Sequence, residues 1–273
     1  MRQKSILKLK GSGILKRVIA IIAALTILMI SALQTSAQGA QGWYCVRNDK
    51  HLQPIADSNL SYVEKYDGFY IDKAHGDNCD DKVVYLTFDA GYENGNVERI
   101  LNTLKEKDVK GAFFILGNLI TKNTELVIRM SDEGHTVANH TVNHPDMTTK
   151  KSKEAFAEEL FALEALYKEY TGRTMSKLFR PPEGRFSEAT MKYAQELGYY
   201  TIFWSFAYAD WDNNKQMSAA AAKKKIMDNI HNGAVILLHP TSKTNADILG
   251  DVIDELKADG YRFGTLDELV GIK

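Results

Sequence analysis

VVYLTFDAG, residues 83–91, decides the fold. VVYLTF (83–88) is a short apolar run of β-branched, aromatic and aliphatic residues that stops at Asp89. A strand that is continuously apolar is one covered on both faces, as in a parallel sheet flanked by helices. The next apolar residues, Val97, Ile100, Leu101 and Leu104, fall at helical spacing. GAFFIL (111–116) is a second short apolar run, and Leu126, Val127 and Met130 then mark another helix face before HTVA (135–138). Phe156, Leu160, Leu163, Tyr167 and Tyr170 step by four and three along a long amphipathic helix. LFR (178–180), YYTIFWSF (199–206), AVILLH (234–239) and Tyr261-Arg262-Phe263 continue the strands. Met191, Ala194 and Leu197, a helix through Ile226, and Leu249, Val252, Ile253 and Leu256 supply the helices between them. Strand and helix alternate about six or seven times. That order predicts an α/β fold with a mainly parallel sheet, and both a barrel and an open doubly wound sheet satisfy it.

Upstream, the character of the chain changes. Residues 1–37 carry Arg2, Lys4, Lys8, Lys10, Lys16 and Arg17 and no acidic group. VIAIIAALTILMISAL (18–33) follows, then Thr35-Ser36-Ala37. Basic, apolar and small residues in that order read as a signal peptide cleaved near Ala37, or as a signal anchor that is retained. Either reading places the body outside the cytoplasm, with the basic flank inside. Residues 38–82 are polar and aromatic without a sustained period and read as an N-terminal extension packed on the main domain, which spans 83–269. Ser58–Tyr62 within it can begin a short helix.

The whole chain has a net charge of −1. Without the six basic residues of the N-terminus, 28 basic groups face 35 acidic ones, a net of −7. An acidic body argues against binding to nucleic acid, whose phosphates need clustered Lys and Arg, and against a body that sits on an anionic bilayer. A hydrophobic fraction of 44% excludes wholesale disorder. Two cysteines, Cys45 and Cys79, cannot build a disulfide-dense scaffold. After export they can pair or remain two free thiols.

Polar residues punctuate the strand ends. Asp89 follows the first strand, Arg180 ends LFR, Asp210 follows the WSF strand, His239 ends AVILLH, and His140 and His144 come shortly after HTVA. Sites in α/β sheets and barrels form at the C-terminal strand ends, so these groups are expected on one rim. Each alone has a plain structural reading: Asp89 as a turn or cap, Arg180 as an ion-pair partner, His239 as a hydrogen-bonded loop residue. The spacing of His140 and His144 predicts a shared helix face, ended by Pro145, and suits a metal as well as two solvated imidazoles.

TFDAG (87–91), HTVNH (140–144), RPPEG (180–184), ADW (209–211) and LLHP (237–240) occur in that order. The set resembles the polysaccharide deacetylase family, carbohydrate esterase family 4, also called the NodB homology domain. TFDAGYENGN, RMSDEGH and RPPEGRFSE look like its delta-lactam-biosynthetic branch, which modifies the peptidoglycan of spore cortex. The resemblance implies a distorted (β/α) barrel. It also implies Asp89 as catalytic base, His140 and His144 as ligands of a divalent metal such as zinc, and Arg180 as the residue orienting the base. The Glu183 N–H takes the oxyanion position, Asp210 orients His239 as general acid, and Trp211 and Leu238 line the acetyl pocket. The second Asp of the family's first motif, a metal ligand, is Ala90 here, which weakens the expected metal site unless water, Glu93 or Asn94 replaces it.

The implied substrate is N-acetylmuramic acid in a peptidoglycan strand, leading to muramic δ-lactam. N-acetylglucosamine residues, chitin-like chains, or a catalytically silent glycan-binding domain are the alternatives. The residue types suit amide hydrolysis, which needs a base for water, a stabilised oxyanion and an acid for the leaving nitrogen.

Overall fold

The computed structural model describes residues 39–272. The expected export segment lies outside them. The strands are β1 (Gln41–Gly42), β2 (Cys45–Val46), β3 (Ile55–Ala56), β4 (Gly68–Phe69), β5 (Lys82–Ala90), β6 (Ala112–Ile115), β7 (Thr136–Asn139), β8 (Leu178–Phe179), β9 (Arg185–Phe186), β10 (Tyr200–Ile202), β11 (Ala234–Leu238) and β12 (Tyr261–Phe263). The α-helices are α1 (Asn96–Glu106), α2 (Gly117–Lys122), α3 (Thr124–Asp132), α4 (Lys153–Thr171), α5 (Glu188–Glu196), α6 (Ala219–Met227), α7 (Lys243–Ala258) and α8 (Leu266–Val270). A 3-10 helix, Ser58–Tyr66, occupies the extension where a short helix is expected.

The main sheet runs β11-β5-β6-β7-β8-β10-β4, with β12 added to the start of β5, and its pairs are parallel. Its two ends meet beyond β10. There the Ser205 N–H donates to the Val235 carbonyl at 2.9 Å and the Leu237 N–H to the Phe206 carbonyl at 2.9 Å. The result is a distorted, partly open (β/α) barrel, which decides between the two architectures that the alternation allows.

Strand parity sorts the core into two layers. Val83, Tyr85, Phe114, Leu178, Ile202 and Val235 face inward and pack together. Val84, Leu86 and Phe88 face outward onto helix residues such as Ile100, Leu104, Val252 and Leu256. Each such aliphatic side chain contributes about 1.5–3 kcal/mol when taken from water to full burial. Caps set the helix ends locally: Ser152 begins α4 and Gly172, at φ 73°, ends it.

The extension is more than a covering. Its β4 is a strand of the main sheet, with Gly68 opposite Thr201 of β10. Gly68 is required there, since a Cβ would lie 2.3 Å from Val63 Cγ1. Trp43 is buried and stacks on Phe203 at 4.5 Å between ring centroids. Within the expected strand 199–206 only Tyr200–Ile202 pairs regularly, and the remainder turns away to carry Trp204 and Phe206 across the barrel seam. Cys45 and Cys79 are both free thiols. Among the described residues no helix is long and apolar enough to cross a membrane.

Candidate active site

The rim expected from the sequence is present. β5 delivers Asp89, the loop after β7 delivers His140 and His144, and β8 leads into Arg180. The loop after β10 delivers Asp210, and β11 leads into His239. Asp89, His140, His144, Glu183, Trp211 and His239 line one cavity of about 630 Å³.

Arg180 is the anchor of this cavity. It has 0% exposure and is the largest fully buried side chain among the described residues. Its Nη1 donates to Asp89 Oδ1 at 2.8 Å, Nη2 to Thr87 Oγ1 at 2.9 Å and to the Phe203 carbonyl at 3.3 Å, and Nε to the Ile202 carbonyl at 3.0 Å. Its guanidinium also sits 4.1 Å from the Phe114 ring centroid. Burial alone would raise the Asp89 carboxyl, but the Arg180 charge and hydrogen bond, with His239 behind them, outweigh it and hold Asp89 below its ordinary value.

On the neighbouring strand β11, His239 is held by Asp210, which is 1% exposed. His239 Nδ1–H donates to Asp210 Oδ1 at 2.7 Å, and the His239 backbone N–H donates to Asp210 Oδ2 at 2.8 Å. With Nδ1 so engaged, Nε2 is the nitrogen left for the cavity. Burial is the largest single influence on His239 and lowers it, yet the Asp210 hydrogen bond and charge, with Asp89 behind them, raise it overall.

The two motif histidines do not share a helix. Residues 140–146 form a loop, and Pro145 ends no helix. Thr141 and His144 take left-handed conformations, φ 72° and 59°, and this backbone brings the two rings to 5.0 Å between centroids. A loop bent in this way meets the same four-residue spacing that a helix would. His140 is buried and His144 exposed. His140 Nδ1–H donates to the Arg180 carbonyl at 2.8 Å, which leaves Nε2 as an acceptor 3.6 Å from Asp89 Oδ2. Burial pushes the His140 imidazole down to about 4, so it is neutral at ordinary pH.

The 180–184 turn has its own logic. Pro181 and Pro182 lack an N–H, so Glu183 carries the first backbone donor after Arg180. Glu183 and Gly184 both adopt left-handed conformations, φ 56° and 63°; glycine takes this readily, whereas for Glu183 it is a strained backbone of the kind that collects at functional sites. The extension braces this turn, since the Trp43 N–H donates to the Gly184 carbonyl at 2.9 Å.

The profile of the family described as Polysaccharide deacetylase matches residues 76–202. The chain is 42% identical over 229 residues to the peptidoglycan-N-acetylmuramic acid deacetylase PdaA of Bacillus subtilis, covering 84% of this chain and 85% of that protein. The chain belongs to the polysaccharide deacetylase family. The solved structure of Bacillus subtilis PdaA, a family 4 carbohydrate esterase, superposes with a TM-score of 0.79 at 39% identity, over 85% of this chain and 97% of that one. The peptidoglycan-N-acetylglucosamine deacetylase PgdA of Listeria monocytogenes is 35% identical over 192 residues, 70% of this chain and 40% of that protein. As a polysaccharide deacetylase the chain is a hydrolase of linear amide C–N bonds.

Polysaccharide deacetylases are in general metal-dependent. Among the described residues no group of three or more His, Cys, Asp or Glu side chains is arranged to hold a metal. His140 Nε2 and the His144 ring are the ligands on offer, and Asp89 is engaged by Arg180. Ala90 is fully buried in the outer apolar layer. Neither Glu93 nor Asn94 replaces a carboxylate at position 90. Glu93 accepts from the Gly95 N–H at the start of α1, and Asn94 donates to the Thr241 carbonyl at 2.9 Å. The donor set is thus short of the three protein ligands usual for catalytic zinc.

Parity corrects one further assignment in this polysaccharide deacetylase. Leu238 is 2% exposed and faces the outer layer, while Leu237, on the same face of β11 as His239, lines the cavity. Two-residue alternation counted back from His239 is enough to find it. Trp211 does line the cavity but is 62% exposed, so it forms the mouth more than an enclosed wall. Tyr92, Leu116, Trp204, Tyr208 and Thr241 also line it. Tyr92 lies within TFDAGYENGN, but no motif marks the other four, whose course depends on the packed barrel.

Proposed function

We propose that this deacetylase removes the acetyl group from N-acetylmuramic acid residues of peptidoglycan, with Asp89 as general base and His239 as general acid. The observation that carries the reading is their placement side by side at the ends of the adjacent strands β5 and β11, lining one cavity, with Asp89 hydrogen-bonded to Arg180 and His239 to Asp210. Arg180 keeps the Asp89 carboxylate ionised, so it is free to take a proton from water, and Asp210 favours the charged His239 imidazolium, which has a proton to give. Water attacks the amide carbon as Asp89 takes its proton. The oxyanion is received by the Glu183 N–H. His239 delivers a proton to the nitrogen, the C–N bond breaks, and acetate and the free amine remain. Arg180 holds Asp89 ionised and oriented, and Asp210 does the same for the His239 imidazolium. Leu237 and Trp211 bound the space for the acetyl group.

The freed amine lies beside the lactyl carboxylate of the same sugar, as muramic δ-lactam requires. A stem peptide would occupy that carboxylate. Glycan strands stripped of stem peptides are therefore the expected substrate, and acetate release is the measurement. Equal or faster release from peptide-bearing strands or from chitin oligomers would count against this reading and favour the glucosamine-type activity named for the Listeria relative. We place the catalytic domain at 83–269, with 38–82 as its extension and 1–37 as a signal peptide or anchor that puts the enzyme outside the cytoplasm, at the cell wall or forespore.

The tuning has a pH consequence. Turnover needs Asp89 deprotonated and His239 protonated, so activity fails at low pH through the first and at high pH through the second. Asp210→Asn removes the anion that raises His239. The basic limb of the kcat profile should then move to lower pH, and an unmoved limb would detach Asp210 from that role.

For the metal, His140 and His144 are the proposed ligands of a divalent ion, with zinc the expected one. Binding should be weak, because nothing at position 90 supplies a carboxylate. Calorimetric titration with zinc should give tighter binding in Ala90→Asp than in wild type, and loss of that gain when His140→Ala is added. Tight wild-type binding left unchanged by Ala90→Asp would mean that another residue completes the site.

A further inference from the structure

Behind His239 and Asp210 lies a second layer of polar groups that the reaction steps above do not use. Asn245, in the first turn of α7, is 1% exposed. Its Nδ2 donates to Asp210 Oδ2 at 2.6 Å and to the His239 carbonyl at 3.2 Å. The Tyr208 hydroxyl donates to Asn245 Oδ1. The orientation of this amide is fixed from both sides. Turned over, Oδ1 would face the Asp210 carboxylate, acceptor against acceptor, at a distance that only a hydrogen bond permits. The carboxylate thus requires the N–H end, and the Tyr208 hydroxyl fills the other end. Gln216 adds a further tie, since its Nε2 donates to the Asp210 carbonyl at 2.8 Å. Ser242, the cap of α7, donates to Gln216 Oε1 at 2.5 Å and accepts from the Asn245 N–H at 3.1 Å.

We propose that Asn245, oriented by Tyr208, is a positioning residue for the proton-donating His239: it pins Asp210 Oδ2 so that Oδ1 stays on His239 Nδ1. The physical reason is rotation. Without Asn245 the donors left to the Asp210 carboxylate are the two N–H groups of His239 itself, so carboxylate and imidazole can turn together and Nε2 loses its fixed angle to the leaving nitrogen. Asp210 Oδ2 has two donors, Asn245 Nδ2 and the His239 backbone N–H. Asn245 also holds the His239 carbonyl, so acid and partner are tied to one amide. Outer-layer partners of this kind typically carry about 10–100-fold in activity.

The proposal rests on the reading of His239 as general acid, and its test separates the two. Full-length wild type, Asn245→Ala, Tyr208→Phe and His239→Ala are compared for acetate release from stem-peptide-free glycan strands. Each is also compared for the far-downfield proton resonance of His239 Nδ1–H, which His239→Ala assigns by its loss. Asn245→Ala should lower kcat about 10–100-fold with KM within about twofold, and should lose or broaden the resonance. Tyr208→Phe, which removes one oxygen and spares the packing, should do the same to a smaller degree, and it carries the test if Asn245→Ala fails to fold. Wild-type kcat or an unchanged resonance in a folded Asn245→Ala, or in Tyr208→Phe if the former does not fold, would overturn the positioning role. Retained turnover in His239→Ala would instead overturn the acid assignment, while the resonance still reports whether Asn245 holds the pair.

Discussion

Asp89→Asn should reduce acetate release about 10²–10⁴-fold, the usual cost of losing a general base. The substitution is isosteric, and the amide oxygen it introduces can still accept from Arg180 Nη1, the contact now made at 2.8 Å. Arg180 also keeps the Ile202 and Phe203 carbonyls and Thr87 Oγ1. The barrel should therefore persist, with a cooperative thermal transition and unchanged far-ultraviolet dichroism. What disappears is the carboxylate beside His239 that Arg180 holds ionised. Purified Asp89→Asn that releases acetate at a near wild-type rate would remove Asp89 from the base role.

Arg180→Met is expected to carry the largest cost in stability. It leaves the Asp89 side chain, only 10% exposed, without its cation. It also strands the Thr87 hydroxyl and the two carbonyls that the guanidinium now serves. Removing one partner of a buried pair costs about 3–5 kcal/mol. Denaturant unfolding should register that loss directly. In any protein that does fold, Asp89 loses the largest of the influences that hold it down, so its carboxyl rises and the acid limb of the pH profile moves upward. A variant as stable as wild type, with an unmoved acid limb, would contradict this account of Arg180.

These effects turn on residues that the primary structure exposes well. Asp89, Arg180, Asp210 and His239 each follow a short apolar run, and strand ends on one rim converge whatever the details of the helices. The barrel itself is less legible. Strand–helix alternation is the same in open and closed sheets, and closure here depends on Ser205 and Phe206 meeting Val235, Ile236 and Leu237 across a seam with no local signature. The four-residue spacing of His140 and His144 misleads because two left-handed residues imitate a helical turn. Leu238 misleads because a motif's order of residues does not say which face of the strand each one takes. The role of 38–82 is hidden for a different reason. A two-residue strand such as Gly68–Phe69 is too short to carry a period, and its partner lies far along the chain.

That separation has a consequence for how the molecule is made. Trp43 reaches a carbonyl 161 residues downstream, at Trp204, and β5 cannot complete its pairing until β11, near residue 234, has been synthesised. Loop closures of that span are slow, and contacts of high sequence separation form late. The earliest-made part of the body must therefore wait for the last-made part. A chain still waiting for its C-terminal third is unfolded and threadable, which is the state that the proposed export signal at 18–33 would require. The barrel then closes once its C-terminal third has followed.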